Sequence, residues 1–213
     1  MQFPAARILI FAKAPLPGQV KTRLLPLLGK RAATRLHSDM VQQTVQRVQA
    51  CALAPVQLWC APTIDAPLFD NLKKTLHVEL HQQHGMDLGA RMLHAFGVAL
   101  QCAEGALVIG TDWPMLEPAM LATTLQRLQQ GDDAVLGPAE DGGYVLLGLR
   151  RVDPHLFTEI DWGSAKVLTQ TRARLRELKW RCSELPVSWD LDRPADFERA
   201  LRAGLIHDPR AND

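Results

Sequence analysis

Ile8-Leu9-Ile10-Phe11-Ala12-Lys13-Ala14-Pro15-Leu16-Pro17-Gly18-Gln19-Val20-Lys21-Thr22-Arg23-Leu24 runs from a fully apolar segment, through a Pro/Gly-rich turn, into a long amphipathic stretch. The order reads as strand, turn, helix. Lys13, Lys21 and Arg23 sit on or beside the turn. A turn that brings backbone N–H groups and cations to the start of a helix is a common physical solution for holding phosphate. Gly18 admits backbone geometries closed to other residues, while Pro15 and Pro17 restrict the loop and lower its ordering cost. The loop is not a Walker A motif, because Val20 rather than Gly precedes Lys21-Thr22, and it is not G-x-G-x-x-G. Taken alone, it reads equally well as a basic surface turn.

Beyond the loop, strand-like runs alternate with helical patterns. Ala32, Ala33, Leu36, Met40, Val41, Val45 and Val48 recur at helical spacing and predict a helix over about 30–52. Val56 to Cys60 reads as a strand closed by Pro62, and Ala66 to Lys74 as a short helix. Leu76, Val78 and Leu80 alternate with His77, Glu79 and His81, the period of a half-buried strand. A helix is predicted over Leu88–Ala103. Ala106 to Ile109 is a continuous apolar run, as expected of a central strand covered on both faces. A helix over Glu117–Gln130 follows, then strands Ala134–Leu136 and Tyr144–Leu149 around a Gly-rich turn. Ser164–Lys179 reads as helix, Leu185–Trp189 as a late strand, and Pro194–Ala203 as a closing helix with Pro near its first turn. This alternation predicts an α/β fold with a mainly parallel central sheet. One domain spans residues 1–206, and 207–213 reads as a frayed tail. In such sheets the ligand crevice lies beyond the carboxyl ends of the strands.

Composition narrows the function classes. With 213 residues, 47% of them hydrophobic, the chain can bury a continuous core. A formal net charge of +1 implies no bulk attraction to nucleic acid or to a membrane surface, and the basic residues lack aromatic interleaving. The longest clean apolar runs are about five residues, against the roughly 20 needed to span a bilayer. Ile8 to Ala12 is too short, and too quickly followed by basic residues, to read as a secretory leader. Cys51, Cys60, Cys102 and Cys182 form no C-x-x-C and read as reduced, mostly buried thiols of a cytoplasmic protein.

Several polar groups fall at predicted strand ends. In Val108-Ile109-Gly110-Thr111-Asp112-Trp113-Pro114, Asp112 stands just past an apolar strand, where a carboxylate suits Mg²⁺ or simply turns the chain. In Gly137-Pro138-Ala139-Glu140-Asp141-Gly142-Gly143-Tyr144, the glycines suggest a hairpin turn or close approach of backbone to a ligand. Asp190 and Asp192 are spaced i, i+2 and point the same way in an extended chain, so both could face one cation, or one could cap the next helix. Asp87, at the start of a predicted helix, reads as a cap favoured by the helix dipole. Arg91, one turn later, makes a ligand role plausible. His77, Glu79 and His81 share a strand face, but no fourth metal ligand accompanies them. No Ser/His/Asp order suggests a triad.

In this order, F-A-K-x-P-x-P-G-x-V-K-T-R-L, Q-x-x-x-D-L-G-x-R-M, G-T-D-x-P-x-L, G-P-A-x-D-G-G-Y-x-L-x-G-L and D-x-D-x-P-x-D resemble a bacterial family of glycosyltransferase-like proteins with the GT-A, nucleotide-diphospho-sugar transferase-like fold. Some members are linked to arsenosugar biosynthesis, and guanylyltransferases acting on 2-phospholactate and on the molybdenum cofactor share the fold. The resemblance covers residue 8 to about 200. It implies a three-layer α/β/α architecture with a mixed, mainly parallel sheet. It implies that Lys21 and Arg23, with Lys13, hold nucleotide phosphates, and that Asp112 with Asp192 or Asp190 holds Mg²⁺ or Mn²⁺; the loop and helix-start readings above add Gly18, Asp87 and Arg91 to the expected nucleotide site. Asp141, Gly142, Gly143 and Tyr144 would line the acceptor side. Two positions depart from the family pattern: Trp113 replaces a smaller residue, and Arg193 stands where Thr would cap the last helix, which would draw Asp192 into capping.

The expectation is therefore a metal-assisted nucleotide-diphospho-sugar-dependent glycosyltransferase. Asp112, Lys21 and Arg23 would stabilise charge on phosphate oxygens. Its partners would be a nucleotide or nucleotide sugar and a small-molecule acceptor, with no nucleic acid and no membrane span, and a homodimer is compatible with it. The runner-up is nucleotidyl transfer from an NTP with release of pyrophosphate, and a cationic first loop suits a triphosphate. A non-catalytic nucleotide-binding domain is the rival of another class.

Overall fold

The computed structural model, which describes residues 1–211, builds one sheet from β1 (Ala6–Lys13), β2 (Val56–Ala61), β3 (Glu79–Gln82), β4 (Gly105–Gly110), β5 (Ala134–Pro138), β6 (Tyr144–Leu149) and β7 (Cys182–Glu184). The spatial order is β3-β2-β1-β4-β6-β5-β7. β6 runs antiparallel to β4 and β5, and the other pairings are parallel. The chain leaves β1 for β2 and β3, then returns to β4 on the opposite side of β1. The strand order thus reverses between β1 and β4, which is where an open α/β sheet leaves a crevice at its carboxyl edge.

The helices are α1 (Leu25–Ala50), α2 (Pro67–Leu76), α3 (Leu88–Ala99), α4 (Pro118–Gln129), α5 (Val167–Glu177) and α6 (Pro194–Arg202). β1 shows why both sheet faces need cover. Ile8 and Ile10 point into a cluster with Val41 and Val45 of α1, Phe69 of α2 and Leu121 of α4. Leu9 and Phe11 point the other way, to Met92 and Phe96 of α3 and Leu168 of α5. That alternation produces the three α/β/α layers, and each buried Leu, Ile or Phe contributes about 1.5–3 kcal/mol. A third cluster joins Ala33 and Leu36 of α1 to Leu191, Phe197 and Ala200. It anchors the segment before α6 beneath the carboxyl edge of the sheet.

The differences from the sequence expectations have local causes. α1 is broken at Gly29 (φ 70°, ψ 171°), so its regular part starts near residue 30. Leu76 belongs to α2, one turn beyond the buried Leu72, and His77 (φ 53°) ends that helix. β3 therefore starts later than the alternation suggested. The late strand expected over Leu185–Trp189 is not formed; β7 covers Cys182–Glu184 instead, and Pro186 has no N–H to extend the ladder beyond it. Ser188 makes only an isolated bridge with Ala139. Of the cysteines, Cys60 alone is buried, while Cys102 and Cys182 are exposed. Residues 207–211, expected to fray, include the buried Pro209. Arg35 donates to the Pro209 carbonyl at 2.8 Å, and the Arg210 guanidinium lies 5.6 Å from the Phe197 ring centroid. The rest of the expected tail, residues 212 and 213, lies outside the described residues.

Candidate active site

Three segments are tied together at the carboxyl ends of β1 and β4. Lys21 takes the left-handed conformation (φ 49°, ψ 41°), and its side chain turns inward until only 3% of it is exposed. The ammonium stands 2.8 Å from Asp112 Oδ1 and donates to the Leu191 carbonyl. The Leu191 N–H donates to the Asp112 carbonyl at 2.8 Å. Leu191 itself is fully buried. Its neighbours Asp190 and Asp192 line the cleft instead, as their i, i+2 spacing predicted.

Two lobes meet at Gly110, Asp112, Asp192 and Leu88. The first, about 270 Å³, is lined by Lys13, Lys21, Arg91, His37 and Gln83. The second, about 320 Å³, is lined by Asp141, Gly143, Tyr144, Trp162, Ser164, Asp190 and Arg23. One lobe is cationic. The other gathers carboxylates and aromatic rings, with Arg23 as its cation.

Local electrostatics follow this division. Burial by itself would raise the Asp112 pKa, but the Lys21 ammonium, then His37 and Lys13, outweigh it and hold the carboxyl below its ordinary range. One oxygen is buried on Lys21, yet 46% of the side chain remains exposed to the cleft. Asp190 moves the opposite way. Burial, then the Asp141 carboxylate, and more weakly Asp192 and Asp112, push it up to about 6. Burial lowers the His37 pKa, and its Nε2 lies 2.9 Å from the Lys13 carbonyl, so the neutral ring donates there and braces the end of β1.

The expected site residues divide into groups. Lys13, Lys21, Arg91 and Asp112 come together at the cationic lobe. Arg23 does not join them; it contacts Asp192 and lines the acidic lobe with Asp141, Gly143, Tyr144 and Asp190. Gly18, Asp87 and Gly142 line neither lobe, and each has a structural duty. Gly18 supplies a positive φ of 80°. Asp87 caps α3, its Oδ1 accepting from Ala90 N–H at 2.7 Å. Gly142 (φ 87°) lets the backbone of Ala165 approach so closely that a Cβ there would stand 2.2 Å from its carbonyl oxygen.

The two departures from the family pattern are also accounted for. Asp196 Oδ2 accepts from the N–H groups of Arg193 at 2.7 Å and Asp192 at 3.2 Å. The start of α6 is thereby satisfied without the Asp192 side chain. Trp113 packs in the core, 3% exposed, and its Nε1 donates to Ser188 Oγ at 2.7 Å. His81 stacks on Trp59 and pairs with Glu79. His37, Gln83, Trp162 and Ser164 were missed. His37 carried a usable signal, the one titratable residue on the apolar stripe of α1. The others lie in irregular segments that periodicity does not read.

A divalent ion fits this cleft only in part. Among the described residues, no three His, Cys, Asp or Glu side chains form a group able to hold a metal unaided. Asp112 and Asp192 offer hard oxygen donors on the wall that both lobes share. Mg²⁺ is commonly held by one or two carboxylates, with water and ligand phosphates completing its shell. The donor set therefore suits an ion shared with a ligand rather than a closed cage.

The strand order and the crevice between β1 and β4 define a nucleotide-diphospho-sugar transferase fold. A protein of Desulfovibrio desulfuricans G20, provisionally described as a nucleotide-diphospho-sugar transferase, superposes with a TM-score of 0.86 at 33% identity, over 94% of this chain and 88% of that one. The model of the family described as "Uncharacterized protein conserved in bacteria (DUF2064)" matches residues 44–164, more than half of the chain, and the protein belongs to this family. A phosphoenolpyruvate guanylyltransferase of Rubrobacter xylanophilus is 31% identical over 130 residues, which cover 59% of this chain and 62% of that relative. The match thus spans less than two thirds of the relative's length. The 4-diphosphocytidyl-2C-methyl-D-erythritol synthase of Anaerococcus prevotii shares the fold, with a TM-score of 0.61 at 8% identity over 95% and 99% of the two chains. The Desulfovibrio and Rubrobacter proteins are transferases by description. No helix among the described residues is long and apolar enough to cross a membrane.

Proposed function

We propose that the protein is a nucleotide-diphospho-sugar-dependent glycosyltransferase. The division of the cleft by charge is the observation that carries this reading. Lys13, Lys21 and Arg91 suit a diphosphate. Across Asp112 and Asp192, the carboxylates of Asp141 and Asp190 suit hydroxyl groups, which donate hydrogen bonds to them, and aromatic walls suit the apolar face of a sugar ring. A phosphorylated acceptor would instead meet four carboxylates with only Arg23 to oppose them.

In this reaction the acceptor hydroxyl oxygen attacks the anomeric carbon. The bond from that carbon to the diphosphate oxygen breaks, and the nucleoside diphosphate leaves with the bonding pair. Lys13, Lys21 and Arg91 oppose the charge that develops on the departing phosphate. Asp141 and Asp190 face the side where the acceptor's proton is lost. Asp112 and Asp192 would hold Mg²⁺ or Mn²⁺, which supplies Lewis acidity towards the same phosphate oxygens.

The guanylyltransferase relative favours a second reading. In it, an acceptor oxygen attacks the α-phosphorus of an NTP, and pyrophosphate leaves into the cationic lobe. Product analysis separates the two. The protein is incubated with Mg²⁺ or Mn²⁺ and either nucleotide sugars or NTPs, together with a panel of small acceptors. Nucleoside diphosphate release supports glycosyl transfer; pyrophosphate release overturns it in favour of nucleotidyl transfer. A ligand at 100 times its Kd should add about 2.7 kcal/mol of stability. A panel in which no nucleotide shifts the melt refutes both. Binding without turnover of any donor leaves a nucleotide-binding domain.

A further inference from the structure

We infer that Trp162 is a specificity-determining residue, the platform on which the sugar ring of the nucleotide sugar lies; this rests on the glycosyl reading above. Trp162 is half-buried and lines the acidic lobe. Its indole presses on the first turn of α3. A Cβ built on Gly89 would stand 2.6 Å from Trp162 Cζ2 and 2.7 Å from its Nε1. Gly89 has no positive φ, so conformational freedom does not explain a poor helix former at this place. The close seat of the indole does.

A second glycine holds the same segment from the other side. Gly142 permits the contact with Ala165 already described, and its carbonyl accepts from Leu168 N–H at 2.8 Å. The Gln170 side chain accepts from Asp161 N–H at 2.9 Å. The stretch around Trp162 is thus clamped between α3 and the β5–β6 turn that carries Asp141. Both glycines position the aromatic wall: Gly89 by leaving room for the indole, Gly142 by leaving room for the Ala165 backbone. A ring seated against a helix, in a lobe that also gathers carboxylates, offers a sugar an apolar surface and hydrogen-bond acceptors together.

The test compares the affinities of UDP with UDP-glucose and of GDP with GDP-mannose, by calorimetry, in the wild type, Trp162→Ala, Trp162→Phe and Gly89→Ala. Tryptophan fluorescence is followed in parallel. The wild type should bind at least one nucleotide sugar more tightly than its nucleoside diphosphate. Trp162→Ala should lose about tenfold of that preference with diphosphate affinity unchanged, and Trp162→Phe should restore part of it. Gly89→Ala, which unseats the indole, should behave like Trp162→Ala. The fluorescence change induced by the sugar should vanish in Trp162→Phe. If the wild-type preference survives intact in Trp162→Ala, the inference is wrong while the glycosyl reading stands. If the wild type prefers neither nucleotide sugar, the glycosyl reading fails and the inference with it.

Discussion

Lys21→Met removes the ammonium that joins three segments, and its cost can be worked from the geometry. The Leu191 carbonyl loses its side-chain donor, and an unsatisfied buried acceptor costs about 1–3 kcal/mol. Asp112 loses the cation 2.8 Å from Oδ1. Breaking a fully buried pair costs about 3–5 kcal/mol, and exposed pairs are worth about 0.2–1 kcal/mol. With 46% of the Asp112 side chain exposed, a discounted value of about 1–2 kcal/mol is appropriate. The total is about 2–5 kcal/mol, equivalent to a Tm roughly 4–20 °C lower for a domain of this size. The pH dependence has a definite sign. Asp112 titrates below its ordinary value of 3.8 when folded, so its contribution is present above 3.8 and lost as pH falls through the folded pKa. The gap between wild type and variant should be full at pH 7 and shrink below about pH 4. Thermal and urea unfolding at pH 7 and pH 3.5 measure it, with Asp112→Asn and the double variant closing the cycle. A Lys21→Met protein that melts with the wild type, or whose deficit is unchanged in the Asp112→Asn background, would refute the account of the tie.

Three further outcomes follow from the same geometry. Asp112→Asn should abolish any dependence of nucleotide binding on Mg²⁺ or Mn²⁺, read as the thermal shift with and without metal; metal-dependent binding that persists removes Asp112 from the ion's shell. Arg23→Ala should tighten Mn²⁺ binding by freeing Asp192, and weaker binding on titration would show that Arg23 supports the ion instead. Asp133 accepts from Arg181 N–H at 3.0 Å and pairs with Arg150 and Arg151; burial would raise its pKa, but these donors outweigh it and hold it below the ordinary 3.8. Asp133→Asn should therefore cost about 1–3 kcal/mol at pH 7 and progressively less as pH falls through the folded pKa, and a cost equal at pH 7 and pH 3 in urea unfolding would count against it.

The central strands were legible because their burial on both faces leaves a continuous apolar signature, as in Ala106 to Ile109. Register at the sheet edge was less so. Pro186 could have ended the late strand from the sequence, but Leu185, Val187 and Trp189 kept the period of two and masked it. For the site, Asp190 and Asp192 were legible because Leu191 between them is apolar and the spacing decides their side. Lys21 and Arg23 have the same spacing, and this could not be decoded, since a left-handed residue at 21 turns its side chain inward while Arg23 reaches the other lobe. Gly142 and Asp87 were ambiguous for one reason. A cap and a close backbone approach use the same residue types that a ligand site uses, and only the neighbours tell them apart.

The two dividing carboxylates are each held by one cation of the first loop, and the two pairs are unequal. Lys21 is locked: its side chain is 3% exposed, and it bonds Asp112 and Leu191 together. Arg23 is loose: its side chain is 56% exposed, and the Asp192 it contacts is 34% exposed. A left-handed backbone at a residue with a Cβ costs about 1–2 kcal/mol. At position 21 that strain is offset by the buried ties it makes possible, since the same backbone turn carries the lysine under the loop. Asp112 is consequently fixed and presents one free oxygen to the cleft, whereas Asp192 exchanges partners at little cost, because an exposed ion pair is worth under about 1 kcal/mol. On the proposed reading, a cation brought by a nucleotide would compete with Arg23 and not with Lys21, and the displaced guanidinium would be left in the lobe opposite the phosphates. The cations of the first loop are thus unlike, the buried Lys21 tying the partition between the lobes together and the exposed Arg23 pairing with the carboxylate of its other half.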